Sequence, residues 1–285
     1  MNDPSAEELH AQQVAAWSGP MGALWVASEV HTERALAPVQ AALLAAAAPQ
    51  RGEAVLDVGC GSGGTTLALA EAVGTGGRVV GLDVSETILA LARTRLADMA
   101  QVELVCADAA SWVLAGRPAD LLFSRFGVMF FGDPVAAFGN LRASMAPGGR
   151  MVFACWQPLA DNPWFGVGLR AIAGLVSPLP PPGPEEPGQF AFGDPARVHR
   201  ILTQAGFAAP RIDPFSFAMH TPAADLRHAA EAMASFGPIS RRLTDQPEMV
   251  REAAIDAIAA AIAPHRSGDI VSLGASVWLV ATQPA

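Results

Sequence analysis

Three aspartates recur at near-even intervals, Asp57, Asp83 and Asp108, and each closes or follows an apolar run. Carboxylates so placed can accept hydrogen bonds from hydroxyls or an amino group and can attract a cation. The first stands two residues before a glycine-dense stretch, Gly59-Cys60-Gly61-Ser62-Gly63-Gly64. Glycine lets backbone approach a ligand where a Cβ would collide. The run Val55-Leu56-Asp57-Val58 reads as a strand and 65–73 as an amphipathic helix. A strand, a tight loop and a helix N-terminus form a layout that cradles a nucleotide-like ligand.

Two ligand types compete for that loop. Gly59, Gly61 and Gly64 satisfy the G-x-G-x-x-G spacing of dinucleotide sites. A dinucleotide would place its pyrophosphate at the helix N-terminus, where the nearby Asp57 carboxylate repels it. S-adenosylmethionine has no phosphate and carries a sulfonium and an ammonium, which a carboxylate suits. Electrostatics therefore favour the sulfonium compound. The chain has no Tyr, and all 18 of its basic residues are Arg. An oxidoreductase of the Tyr-x-x-x-Lys type, or a lysine Schiff base, cannot be built from this alphabet. None of the six histidines forms a metal-spaced pair. His31 and His220 are the candidates for a general base, and Arg125 for orienting an anionic substrate or pairing with a neighbouring acid.

These groups need elements to position them. Ser5, with Glu8 three residues on, caps a helix over 5–17. Ser18-Gly19-Pro20 breaks it, and two more helices follow over 21–30 and 32–47. Strands are expected at Ala54–Val58, Arg78–Asp83, Val102–Cys106, 119–124 and 150–156, with helices over 65–73, 85–99 and 134–145 between them. This βαβα rhythm predicts a parallel sheet with helices on both faces. Beyond it come a helix near 163–176, a loop holding Pro178, Pro180 to Pro182, Pro184 and Pro187, and a helix over 195–205. A strand over 209–219 interrupted by Pro214, two or three helices in 222–264 and a final strand over 272–282 complete the pattern.

Composition narrows the function. A formal charge of −9 with no basic run argues against a nucleic-acid partner. The apolar stretch 35–48 is short and alanine-rich, a helix ended by Pro49 rather than a membrane span. The polar, acidic 1–10 region argues against a secretory signal. Cys60, Cys106 and Cys155 each fall in a core strand or its loop and suggest neither a disulfide framework nor a zinc cluster, which fits a reducing cytoplasm.

Val-Leu-Asp-Val-Gly-Cys-Gly-Ser-Gly from Val55 resembles the first motif of class I S-adenosylmethionine-dependent methyltransferases. The resemblance continues through Gly81-Leu82-Asp83-Val84-Ser85, Cys106-Ala107-Asp108-Ala109 and Ala146-Pro147-Gly148-Gly149-Arg150, in the family's order. It covers most of 35–220, and the subfamily is similar to bacterial small-molecule methyltransferases related to those of quinone biosynthesis. It implies a Rossmann-like, doubly wound α/β sheet of seven strands, mostly parallel with an antiparallel last strand, in one domain over 1–285. Within it, 1–48 would form a helical lid and 50–156 the cofactor-binding core. The segments 157–193 and 221–267 would be substrate-pocket insertions, with 194–220 and 268–285 completing the sheet.

The same resemblance implies the cofactor, S-adenosyl-L-methionine, and a role for each residue. Asp57, Gly59, Gly61 and Ser62 would meet its methionine end, Asp83 its ribose hydroxyls, Val84 and Ala109 its adenine, and Asp108 the adenine amino group. Ser124 would hold the ammonium through its carbonyl. Each acid could instead cap the helix after it. Trp25, Phe126, Met129 and Trp156 are expected to wall a pocket for a small, largely apolar methyl acceptor. Two alternatives stand beside this reading: a nicotinamide (NAD)-dependent oxidoreductase, and an S-adenosylmethionine-binding protein that transfers no methyl group.

Overall fold

The computed structural model describes residues 5–177, 183, 186–235 and 237–285. Pro178, Pro180 to Pro182 and Pro184, assigned above to a loop, lie outside the described residues, as do residues 1–4.

Among the described residues, eight strands form one sheet. They are β1 (Ala54–Val58), β2 (Arg78–Asp83), β3 (Val102–Cys106), β4 (Ala119–Arg125), β5 (Met145–Trp156), β6 (Arg211–Pro222), β7 (Arg266–Ser267) and β8 (Ile270–Thr282). Their order is β3-β2-β1-β4-β5-β8-β6, with the two-residue β7 paired to β8. The first five are parallel, and β8 runs antiparallel to both β5 and β6. This is the Rossmann-like order, with one strand beyond the seven expected because β7 folds back on β8. Every residue of β1 is buried, as a central parallel strand covered on both faces requires. The outermost strand β6 instead alternates in exposure along its length. Pro214 does not interrupt it, pairing opposite Trp278, because an edge strand has no neighbour to miss the absent N–H.

Helices cover the sheet and close its C-terminal edge. They are α1 (Ala6–Ser18), α2 (Pro20–Ala47), α3 (Gly64–Val73), α4 (Glu86–Arg95), α5 (Pro134–Ala143), α6 (Pro163–Ala171), α7 (Pro195–Gln204), α8 (Leu226–Ala234), α9 (Gly237–Leu243) and α10 (Glu248–Ile262). Ser5 and Glu8 form the expected reciprocal cap of α1. The two helices expected over 21–30 and 32–47 are one, α2. Its buried stripe is Gly22, Glu29, Thr32, Leu36, Val39, Leu43 and Ala47, a helical periodicity that two polar members conceal in the sequence. Pro38 lies inside α2 at an exposed position, as does Arg34, whose carbonyl it leaves without the usual helical donor. Helix α4 ends at Arg95 rather than near 99. Strand β5 begins at Met145, with Pro147-Gly148-Gly149 absorbed as an irregularity against β4 rather than a turn before the strand. Of the cysteines, Cys60 and Cys155 are buried, whereas Cys106 is exposed, where a core position was expected.

Candidate functional site

The loop after β1 and the loop after β4 are pressed together, and this contact shapes the site. A Cβ on Gly59 (φ +69°) would lie 2.6 Å from the Cα of Gly127, and one on Gly127 would lie 2.5 Å from the carbonyl oxygen of Val58. Both positions therefore demand glycine. Ser124 braces the contact: its hydroxyl donates to the Val58 carbonyl at 2.7 Å and accepts from the Gly127 N–H at 3.1 Å. Phe126 between them adopts φ +72°, a conformation costly for an aromatic residue and held here by its surroundings. Its ring stacks on Trp156 with centroids 4.6 Å apart and planes 4° apart.

A cavity of about 420 Å³ opens above these loops. It is bounded by the glycine loop, the ends of β2 and β3, α1 and α2, and the start of α9. Asp83 faces it. One carboxylate oxygen accepts the Gly61 N–H and the other the Ser85 N–H, both at 2.9 Å. Burial pushes its carboxyl above the usual range, and these amide bonds oppose the shift. Each oxygen keeps a lone pair for a further donor. Val84 and Ala109 also line the cavity, with Asp108. One Asp108 oxygen accepts from the Ala110 N–H at 2.8 Å and the other bonds His10 Nε2 at 2.5 Å.

His10 is the residue that sequence reasoning passed over. Its Nδ1 accepts from the Gly132 N–H at 3.3 Å, so its remaining proton sits on Nε2 and is donated to Asp108. No local pattern announces a contact between residues ninety-eight positions apart. Gly127 was missed as well, although a glycine just past the end of β4 was a visible signal.

Asp57 and Ser124 do not line the cavity. Asp57 is fully buried, and one of its oxygens accepts the hydroxyls of Thr65 and Thr66, each at 2.7 Å. Its other oxygen has no partner. Burial pushes the carboxyl up to about 6, against the opposing effects of Thr66, Thr65 and the Arg125 charge. Asp57 thus anchors the first turn of α3 behind the glycine loop. Ser62 lines the cavity, but its hydroxyl turns away and donates to the buried Glu29 at 3.3 Å, beside Arg95. Arg125 takes the second of its two expected roles: it pairs with Glu33 and donates to Gln40 at 2.8 Å.

Trp25, Phe126, Met129 and Trp156 all line the cavity. A Cβ on Gly61 would lie 3.7 Å from Trp25 Nε1, so the indole stands over the glycine loop. Trp17 packs edge-on against Phe130 at 5.1 Å. His31 and His220 are absent from this cavity. They line a second one of about 330 Å³, which shares Leu24, Ser28 and Ser235 with the first.

The residues fit S-adenosylmethionine. A glycine loop seated closely on the end of β4, an acid with spare lone pairs at the end of β2 and an aromatic stack beyond them border one cavity of ligand size. Residues 55–149 match the family described as "Methyltransferase domain". A demethylmenaquinone methyltransferase of Staphylococcus aureus (strain JH9) is 29% identical over 175 residues, 59% of this chain and 73% of that protein. Among solved structures, phosphoethanolamine N-methyltransferase 2 of Haemonchus contortus, in complex with phosphomonomethylethanolamine and S-adenosylhomocysteine, superimposes with TM-score 0.57. It is 16% identical, and the match covers 99% of this chain and 61% of that one. The [4+2]-cyclase SpnF superimposes with TM-score 0.56 at 15% identity, over 100% of this chain and 99% of that one. At such identities the structural likeness speaks for the fold.

Proposed function

The chain belongs to the class I S-adenosylmethionine-dependent methyltransferases, and from that premise we propose that its methyl acceptor is a small, largely apolar molecule. The observation that carries this reading is the Phe126–Trp156 stack, with Met129 and Phe130 beside it, in the same cavity as Asp83 and the glycine loop. An apolar body packs on such a wall, whereas a strongly polar acceptor would need more polar partners. The demethylmenaquinone methyltransferase resemblance supports an acceptor of that character.

The bound cofactor supplies a methyl group on a positive sulfur whose departure leaves a neutral thioether. The rest is positioning, which falls to this chain's residues. Asp83 accepts the ribose hydroxyls with the lone pairs that Gly61 and Ser85 leave free. Val84 and Ala109 flank the adenine. Gly59 and Gly61 let backbone approach the methionine end. Asp57 acts at one remove, holding α3 and lending negative charge from behind the loop, and Ser124 acts through the brace between the β1 and β4 ends. Phe126, backed by the stacked Trp156, offers the ring that suits a cation at the sulfur, and Trp25 covers the loop and excludes water. His10 is the cavity's one histidine among the described residues, and both of its ring nitrogens are engaged. Among the described residues no histidine is therefore free to act as a base there, and an amine, a thiolate or an acidic hydroxyl would suit as nucleophile.

Transfer of tritium from methyl-labelled S-adenosylmethionine to a panel of phenols, quinols, amines and thiols tests the proposal. Labelled product from the apolar members is expected. Label confined to strongly polar acceptors would contradict it. Cofactor binding without turnover on any panel would favour a protein that uses the cofactor for something other than methyl transfer.

A further inference from the structure

The charges lining the cavity are almost all matched within the protein. Arg125 is neutralised by Glu33, and His10 meets Asp108. Asp83 is held by backbone amides and faces the cofactor end. Arg241, on α9, is the exception: among the described residues it has neither an ion pair nor a hydrogen bond, yet it lines the same cavity. An unmatched arginine beside a mainly apolar space, in a chain of net charge −9, is a local reversal of sign.

A second group points to the same corner. Gln189 Nε2 is buried without an acceptor. A Cβ on Gly237 would lie 2.9 Å from Gln189 Oε1, so this amide abuts the first turn of α9. Arg241 follows four residues later, which returns it to the same helix face. The turn carrying Gln189 is tied to the aromatic wall by the Gly188 N–H, which donates to the Met129 carbonyl at 3.1 Å. An exposed guanidinium and a buried amide N–H, neither with an acceptor among the described residues, therefore line the cavity that the aromatic wall also lines.

We propose that the methyl acceptor carries an anionic group, a carboxylate or its equivalent, which Arg241 and Gln189 bind while its apolar body lies against Phe126 and Trp156. This rests on the apolar-acceptor reading and adds the charge to it. Guanidinium and carboxylate match in geometry as well as in charge. The protein's overall negative potential would otherwise repel such a molecule, which gives a single unmatched arginine leverage over which acceptors enter.

Calorimetric titration of the S-adenosylhomocysteine-loaded protein with 2-naphthoate and with 2-naphthamide, equal in shape and different in charge, tests it. The naphthoate is expected to bind about tenfold more tightly. Arg241→Gln should abolish that preference while leaving S-adenosylhomocysteine affinity unchanged. Arg242→Gln removes the same charge from a neighbour that does not line the cavity, and should preserve the preference. Equal binding of the two probes, a preference that survives Arg241→Gln, or equal loss in both variants would overturn the inference and leave the apolar reading standing. Failure of both probes to bind at millimolar concentration would overturn the apolar reading and this inference with it.

Discussion

Asp83 and Asp57 sit on neighbouring strands yet do different work. Asp83 keeps lone pairs for a ligand and orders the glycine loop through Gly61. In Asp83→Asn one oxygen becomes an amide nitrogen that cannot accept from Gly61 or Ser85. S-adenosylhomocysteine binding should weaken by about 1.5–3 kcal/mol, read by calorimetry, and an unchanged affinity would place the ribose elsewhere. Asp57 has its carboxyl raised to about 6 from 3.8 by complete burial. The folded protein therefore holds a proton there that the unfolded chain releases, so this group's contribution to stability falls as pH rises from about 4 to 6 and is level above. Asp57→Asn lacks that titration. The stability of the wild type relative to the variant should rise by up to about 3 kcal/mol as pH is lowered from 7 to 4. Denaturant unfolding at the two pH values checks it, and a pH-independent difference would mean that Asp57 stays charged. Sequence reasoning found both aspartates because apolar runs and glycines frame them. It gave both a direct contact with the cofactor, because nothing local shows the hydroxyls of Thr65 and Thr66 turned back on Asp57. His10 lacked any such frame, since only tertiary packing brings it to Asp108.

The helix α1 is held differently from every other cover of the sheet. It contains no buried residue, and its ties are few: His10 to Asp108 and Gly132, the Ser18 hydroxyl to the Val84 carbonyl at 3.2 Å, and Trp17 edge-on against Trp25 and Phe130. Such an element opens at low free-energy cost. It lies on Gly132, where a Cβ would fall 2.3 Å from the Ala6 carbonyl oxygen and 2.5 Å from His10 Cβ. Gly132→Val should therefore lift α1, speeding hydrogen exchange of its amides several-fold, with little change in the global unfolding midpoint. Unchanged exchange in α1 would show that the helix is not seated there. The strands β1, β2 and β3 were legible to the residue because each is a short β-prone run stopped by turn residues. The unity of α2 was not, because its buried stripe passes through Glu29 and Thr32, which read as surface. Glu29 is buried because Arg95 and Ser62 satisfy it, and those partners lie in other elements.

At the scale of the molecule, the parallel strands end at one edge, and the N-terminal helices and the α8–α9 segment close over it. The cavity between them is acidic where Asp83 and Asp108 stand and cationic at Arg241. Among the described residues no helix is long and apolar enough to cross a membrane. The parallel sheet with helices on both faces followed from the βαβ rhythm, and its doubly wound arrangement from the family resemblance. The far wall falls within the segments 157–193 and 221–267 that the resemblance gave to the pocket, but which of their residues line it was not legible, because α8, α9 and the turn at Gln189 pack by contacts that no local pattern encodes. We propose that acids along the sheet edge hold the adenosyl group beside the Phe126–Trp156 stack. A crystal structure of the S-adenosylhomocysteine complex tests it most directly. Both ribose hydroxyls are expected within hydrogen-bonding distance of the Asp83 carboxylate, with the sulfur beside the aromatic pair. The thioether bound in the second cavity, or along the glycine loop with its ribose turned away from Asp83, would contradict it.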